Sequence, residues 1–135
     1  MRKDEQRVWD SMKRNAPKDV IMERVENIVA EGMPDVFVAA MGGQQTWVEL
    51  KAAKVPKRES SKLLGAHGLR QSQKNWHKNA CLFGIRSRIL IRDDQGELYL
   101  LPGRHGDEAN DMTRTELRNA RIAATWQEIF EDLRT

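Results

Sequence analysis

Two short β-prone runs, DVFVAA (35–40) and QTWVELK (45–51), are joined by Met41-Gly42-Gly43-Gln44. Adjacent glycines accept positive φ without a Cβ clash, so the runs fold back on each other as an antiparallel hairpin. An isolated hairpin is marginal in water and needs further elements to cover its faces. The flanking sequence provides them. Val8, Trp9 and Met12 fall at helical spacing between Asp4 and Arg14, with Pro17 ending the run, which predicts a first helix. VIMERVE (20–26) alternates as a strand, and Glu31-Gly32-Met33-Pro34 forms the loop that leads into Asp35.

Beyond the hairpin, residues 52–68 are rich in Lys, Ser, Pro and Gly and read as a mobile loop. Leu69, Gln73, Trp76 and Ala80 share a helical face, so a second helix is expected from about Arg70 to Leu82, stopped by Gly84. RILIR (88–92), the turn Asp93-Asp94-Gln95-Gly96 and ELYLL (97–101) predict a second hairpin. Leu117, Ala120, Ile122, Ala124, Trp126, Ile129, Phe130 and Leu133 then read as one amphipathic helix from Thr115 to Leu133, with Thr113 or Thr115 as its N-cap. The order α-β-β-β-α-β-β-α specifies an α/β fold, a mixed sheet flanked by helices. With 135 residues, no internal repeat and no low-complexity linker, one domain is expected over 1–135, with a C-terminal helical extension from about 104 to 135.

Several classes are excluded. Cys81 is the single cysteine, so no internal disulfide framework or CxxC cluster exists. His67, His77 and His105 lack zinc-ligand spacing, and His77 reads as a helix-surface residue, while Trp76 reads as core. Gly42-Gly43 lacks the lysine of a phosphate loop, and Ser60-Ser61 has no nucleophile context. No apolar run reaches membrane-spanning length, and the first ten residues lack a signal-peptide core, so a soluble cytoplasmic protein is expected.

Charge is strongly segregated. Between residues 51 and 92, Lys51, Lys54, Lys57, Arg58, Lys62, Arg70, Lys74, Lys78, Arg86, Arg88 and Arg92 face only Glu59, whereas the segments on either side are net acidic. A polyanion such as a nucleic-acid backbone suits such a block, with counterion release as the driving force. A solvated lysine-rich loop is the other reading. An anionic membrane surface would fit the charge, but the block lacks a helix with a bulky apolar face. The acidic C-terminal third reads as a lid or a subunit contact.

Side chains alternate along a strand, so Glu49 and Lys51 project to the same side. Pairing across the hairpin brings Asp35 level with them. Two carboxylates and an ammonium then converge, a set suited to a hard cation such as Mg²⁺ acting on a phosphodiester. An acid-x-Lys triplet arises about once by chance in a chain of this composition. The same residues also fit an ordinary strand end with a surface salt bridge between Glu49 and Lys51.

Pro34-Asp35 followed by Glu49-Leu50-Lys51 resembles the PD-(D/E)xK nuclease signature. The wider pattern of ERVEN (23–27), GMPDV (32–36), WVELK (47–51), PKR (56–58) and LRQSQKNW (69–76) resembles the small phage-type VRR-NUC group, relatives of Holliday junction resolvases, over roughly residues 5–101. The resemblance implies a restriction-endonuclease-like core (α-β-β-β-α-β) with an added C-terminal helix. It implies Asp35, Glu49 and the Leu50 carbonyl as ligands of Mg²⁺ or Mn²⁺, Lys51 acting on the attacking water, and Gln73 near the metal. Glu5 on the first helix completes the set, with Glu26 as its competitor. Lys54, Lys57, Arg58, Lys62, Arg70 and Lys74 are expected at DNA phosphates, where they would position without reading sequence. The implied activity is metal-dependent endonucleolytic cleavage of branched or Holliday junction DNA by a homodimer in a bacterial host's cytoplasm. A nonspecific or flap and end repair nuclease, a noncatalytic DNA-binding module on the same fold, and a structural phage protein are the competing readings. The intact acidic residues beside a cationic groove argue against the last two.

Overall fold

A computed structural model describes residues 2–25 and 31–135, so Glu26 lies outside the described residues. Helix α1 (Lys3–Asn15) precedes three strands, β1 (Val20–Arg24), β2 (Val36–Ala40) and β3 (Gln45–Ala53). Helix α2 (Gln71–Leu82) then leads to β4 (Ser87–Asp93) and β5 (Leu98–Pro102), and the chain ends in α3 (Arg114–Ala120) and α4 (Trp126–Arg134). The five strands form one mixed sheet in the order β1-β2-β3-β4-β5. The pairs β1–β2, β2–β3 and β4–β5 are antiparallel, whereas β3–β4 is parallel and requires the α2 crossover. Both hairpins fall where the sequence puts them. Gly42 and Gly43 adopt φ of 102° and 101°, and Gly96 at φ 86° closes the β4–β5 turn.

Period-two alternation divides β3 between two environments. Val48, Leu50 and Ala52 join Val36, Val38, Leu90, Leu98 and Leu100 against Val8, Trp9 and Met12 of α1 and Ile129, Phe130 and Leu133 of α4. A second cluster on the opposite face unites Ile89, Ile91, Tyr99 and Leu101 with Leu63, Leu64, Leu69, Ala109 and Leu117. Glu49 and Lys51 lie in register with Ile89 and Ile91, so they share that second face.

Two expectations are corrected. The C-terminal segment is two helices rather than one. Ile122 N–H donates to the Leu100 carbonyl, and Leu100 N–H donates to the Ala123 carbonyl, so the chain stops to pair with edge strand β5. Each helix carries its own cap: Thr113 accepts from Glu116 N–H in a capping box, and Thr125 accepts from Glu128 N–H. The Thr125-x-x-Glu128 spacing was a readable start signal inside the apolar pattern. The two helices lie on opposite faces of the sheet, and each adds residues to the core on its side.

The stretch 52–68 is also more ordered than a mobile loop. β3 extends to Ala53, Leu63 and Leu64 are buried, and Leu63 N–H bonds the Met112 carbonyl. Asn110 locks the end of the stretch by accepting from Leu69 N–H at 2.7 Å and donating to the Leu69 carbonyl at 2.8 Å.

Candidate active site

The β2–β3 register ends at Val36 opposite Val48, so Asp35 sits at the sheet rim beside Glu49. Its Oδ2 accepts the Leu50 N–H at 2.9 Å, which holds the carboxylate over the end of β3. A pocket of about 380 Å³ opens there, lined by Arg2, Glu5, Asp35, Lys51, His67, Arg70 and Gln73 among others. Residues from α1, β2, β3 and α2 therefore meet at one point.

Glu49 lies behind these residues and is fully buried. Gln73 Nε2 donates to its Oε2 at 3.1 Å, and the Gln73 Oε1 is fixed in turn by Arg70 N–H at 2.9 Å. Its other oxygen, Oε1, has no hydrogen-bond partner. Burial pushes the Glu49 carboxyl well above the usual carboxylate range; the adjacent Asp35 adds to this, and Lys51 opposes it.

Lys51 is buried too, and its Nζ lies 3.7 Å from Glu5 Oε1. The other Glu5 oxygen faces Arg2 Nε at 3.3 Å. A solvated strand end with a surface Glu49–Lys51 bridge does not describe this arrangement: neither side chain is at the surface, and the lysine pairs with the first helix instead.

Among the described residues, no three His, Cys, Asp or Glu side chains form a ready-made cation cage. The donor set nevertheless fits a hard cation. Asp35, Glu49 and Glu5 are oxygen donors close enough to raise the Glu49 pKa, and one Glu49 oxygen is buried without a partner. A divalent ion would relieve that repulsion.

The basic residues divide. Arg70 lines the pocket, and Lys54 lines a neighbouring groove with Arg7 and Arg92. Lys57 and Arg58 are exposed, whereas Lys74 is half-buried at the flank of α2. Lys62 is bound to Asp111 at 2.8 Å, and Arg86 and Arg88 both pair with Asp132, so part of the cationic block is neutralised internally. Basic residues outside the block join it: Arg7 and Arg14 of α1 line a pocket with Arg92 of β4. The i, i+7 spacing of the two helix arginines was the legible signal.

His77 corrects another expectation. It is fully buried rather than on the helix surface, with Nε2 3.5 Å from Glu49 Oε1 and Nδ1 3.0 Å from Ser87 Oγ. Burial pushes its imidazole down to about 4. The signal was present in the spacing of Gln73, His77 and Ala80, which are the buried residues of α2. Trp76, by contrast, is half-buried and meets Trp47 edge-on with ring centroids 6.1 Å apart, outside both core clusters.

The five-stranded mixed sheet with helices on both faces is a restriction-endonuclease-like α/β fold. The same fold is seen in Hjc of Archaeoglobus fulgidus, a Holliday junction resolvase from an archaeal hyperthermophile. It is similar to this chain with a TM-score of 0.56 at 12% identity, over 94% of this chain and 96% of that one. No protein-family model matches the sequence, and no curated protein matches it. No helix among the described residues is long and apolar enough to cross a membrane.

Proposed function

We propose that this chain is a divalent-metal-dependent nuclease of the PD-(D/E)xK superfamily, of VRR-NUC type, that cleaves branched DNA such as four-way junctions. The reading is carried by one observation: a buried Glu49 carboxylate beside Asp35, which lines a pocket together with Lys51 and Glu5. Its placement on a resolvase-like sheet supports the substrate class.

Asp35, Glu49, the Leu50 carbonyl and Glu5 would hold Mg²⁺ or Mn²⁺. The cation would neutralise the carboxylates and act as a Lewis acid toward a phosphoryl oxygen. The chain's own groups do the rest. Leu50 N–H fixes Asp35, and Gln73 fixes Glu49, so the acidic pair keeps its aim without depending on solvent. Lys51 orients the attacking water and stabilises charge developing on the phosphate. Arg2 and Arg70 flank the opening and attract the backbone, with Lys54, Lys57, Arg58 and Lys74 extending the contact and setting a steep salt dependence, while Lys62 is held by Asp111.

Cleaving both strands of a junction calls for two such sites, which a two-fold dimer supplies. An aromatic cluster supports a homodimer: Phe37 and Trp47 stand 5.1 Å apart, Trp76 joins them, and Ile21 on the same sheet face is 66% exposed. The contact then lies on a sheet face and α2, rather than on the C-terminal helix.

The test is incubation of purified protein with duplex, flap and four-way junction DNA in Mg²⁺ or EDTA. Mg²⁺-dependent cleavage with preference for the junction is expected. Preference for flaps and ends would reassign the substrate to repair intermediates, and tight binding without cleavage of any of them would reduce the protein to a binding module.

A further inference from the structure

Gln73 accounts for one oxygen of Glu49 and leaves the other facing His77. Glu49 Oε1 and His77 Nε2 are 3.5 Å apart, both buried, and neither has a hydrogen-bond partner among the described residues. Two unpaired polar atoms facing each other in a dry interior are destabilising unless one donates to the other. A carboxylate that serves a cation is ionised and can only accept, so the imidazole must carry its proton on Nε2. The neutral ring then has a lone pair on Nδ1, and the Ser87 hydroxyl, 3.0 Å away, is the donor that fills it.

The ring has little freedom to do otherwise. A Cβ at Gly103 would collide with Ser87 Oγ and lie 3.2 Å from His77 Nδ1, and one at Gly106 would lie 3.4 Å from His77 Cβ. The turn after β5 thus presses its bare backbone against the histidine and its serine.

The geometry points to His77 as a positioning residue: Ser87 sets its tautomer, and its Nε2–H clamps Glu49 Oε1 opposite Gln73 on Oε2, so that the carboxylate is presented to the cation in one orientation. This rests on the metal-dependent nuclease reading of the same site. His77 touches neither cation nor substrate, and it acts only through Glu49. It is the imidazole counterpart of the outer partners that orient ligating side chains, whose loss weakens metal affinity by about 10–100-fold.

The test pairs a tautomer measurement with cation affinity. In ¹⁵N NMR of the full chain in excess Mg²⁺, the His77 ring is expected as the Nε2–H tautomer. His77→Leu, similar in size but unable to donate, is expected to fold with a lowered melting temperature, because Glu49 Oε1 and Ser87 Oγ lose their partner, and to bind Mn²⁺ at least about tenfold more weakly by calorimetry. Its kcat on junction DNA is expected to fall with KM unchanged. His77→Gln, which keeps an N–H at similar reach, is expected to recover most of that loss. An Nδ1–H tautomer, or a folded His77→Leu protein with parental Mn²⁺ affinity, overturns the assignment. Should His77→Leu fail to fold, Ser87→Ala decides instead. Loss of the Nε2–H tautomer together with weaker Mn²⁺ binding supports the relay, and an unchanged ring with unchanged affinity refutes it. A parent protein that binds no Mn²⁺ defeats the nuclease reading, while the tautomer still decides the role of His77.

Discussion

The two sides of β3 are built to opposite standards. On the face covered by α1 and α4, β3 contributes Val48, Leu50 and Ala52 to a dry apolar core. On the other face, its Glu49 and Lys51 are buried together with Gln73 and His77, and Glu49 Oε1 faces His77 Nε2 at 3.5 Å. Apolar burial stabilises by roughly 25 cal/mol per Å², whereas a buried unpaired polar group destabilises. A single strand therefore anchors the fold with its even positions and presents chemistry with its odd ones. The difference teaches that the polar face is held in shape by the apolar one, and that mutations on the two faces separate stability from activity.

That separation can be broken or sharpened in several ways. The largest effect belongs to the apolar face: Leu50→Ala leaves a cavity beneath β3 and is expected to lower stability by about 2–5 kcal/mol in urea denaturation. Lys51→Ala on the polar face is expected to leave the unfolding free energy within about 1 kcal/mol of the parent, yet to lower kcat on junction DNA by about 10²–10³-fold in single-turnover cleavage. Similar losses of stability in the two variants would erase the distinction between faces.

A smaller effect comes from the β5 end, where Glu97 receives Arg118 at 2.7 Å, Arg121 at 2.8 Å and Arg114 at 3.0 Å. Hydrogen bonds from Arg118 and Arg121 hold its carboxyl down to about 2, well below the usual glutamate range. A depressed carboxylate stabilises the fold fully above the unfolded value, and that contribution is lost as pH falls toward 2. Glu97→Gln is expected to be less stable by about 1–2 kcal/mol at pH 7. The gap to the parent should close as pH falls from about 4.5 toward 2, and a gap that stays constant across that range would contradict the pairing. The smallest effect is expected of Arg70→Gln at the pocket mouth: a salt slope for DNA binding reduced by about one counterion, measured in EDTA.

Much of this arrangement was legible in the residues. Hairpin glycines, the strand alternation of β3 and the helical spacing of α1 and α2 are local signals, and Asp35, Glu49, Lys51 and Gln73 inherit their places from them. Glu5 is a different case. Its position depends on how α1 packs across β3, and only the resemblance to a nuclease group suggested it. What the sequence hid was long-range. The break between α3 and α4 exists because Leu100 needs partners on the open edge of β5, a demand that the amphipathic spacing of residues 115–133 does not reveal. Leu63 and Leu64 anchor a stretch whose Lys, Ser and Gly content suggested a loop, because two leucines suffice once α3 offers them a surface. His77 was misjudged because a polar residue on an inner helix face reads as solvated until its partners, Glu49 and Ser87, are placed beside it.

Cleavage of a labelled four-way junction under single-turnover conditions, with protein in excess over its binding constant, is the most direct test of a cation-served carboxylate pair with an attendant lysine. Strand scission is expected with Mg²⁺ and the parent chain, and none with EDTA, with Asp35→Ala or with Glu49→Ala, while all three still bind the junction. Scission by either variant at the parental rate, or an intact junction after incubation with the parent in Mg²⁺, would contradict it.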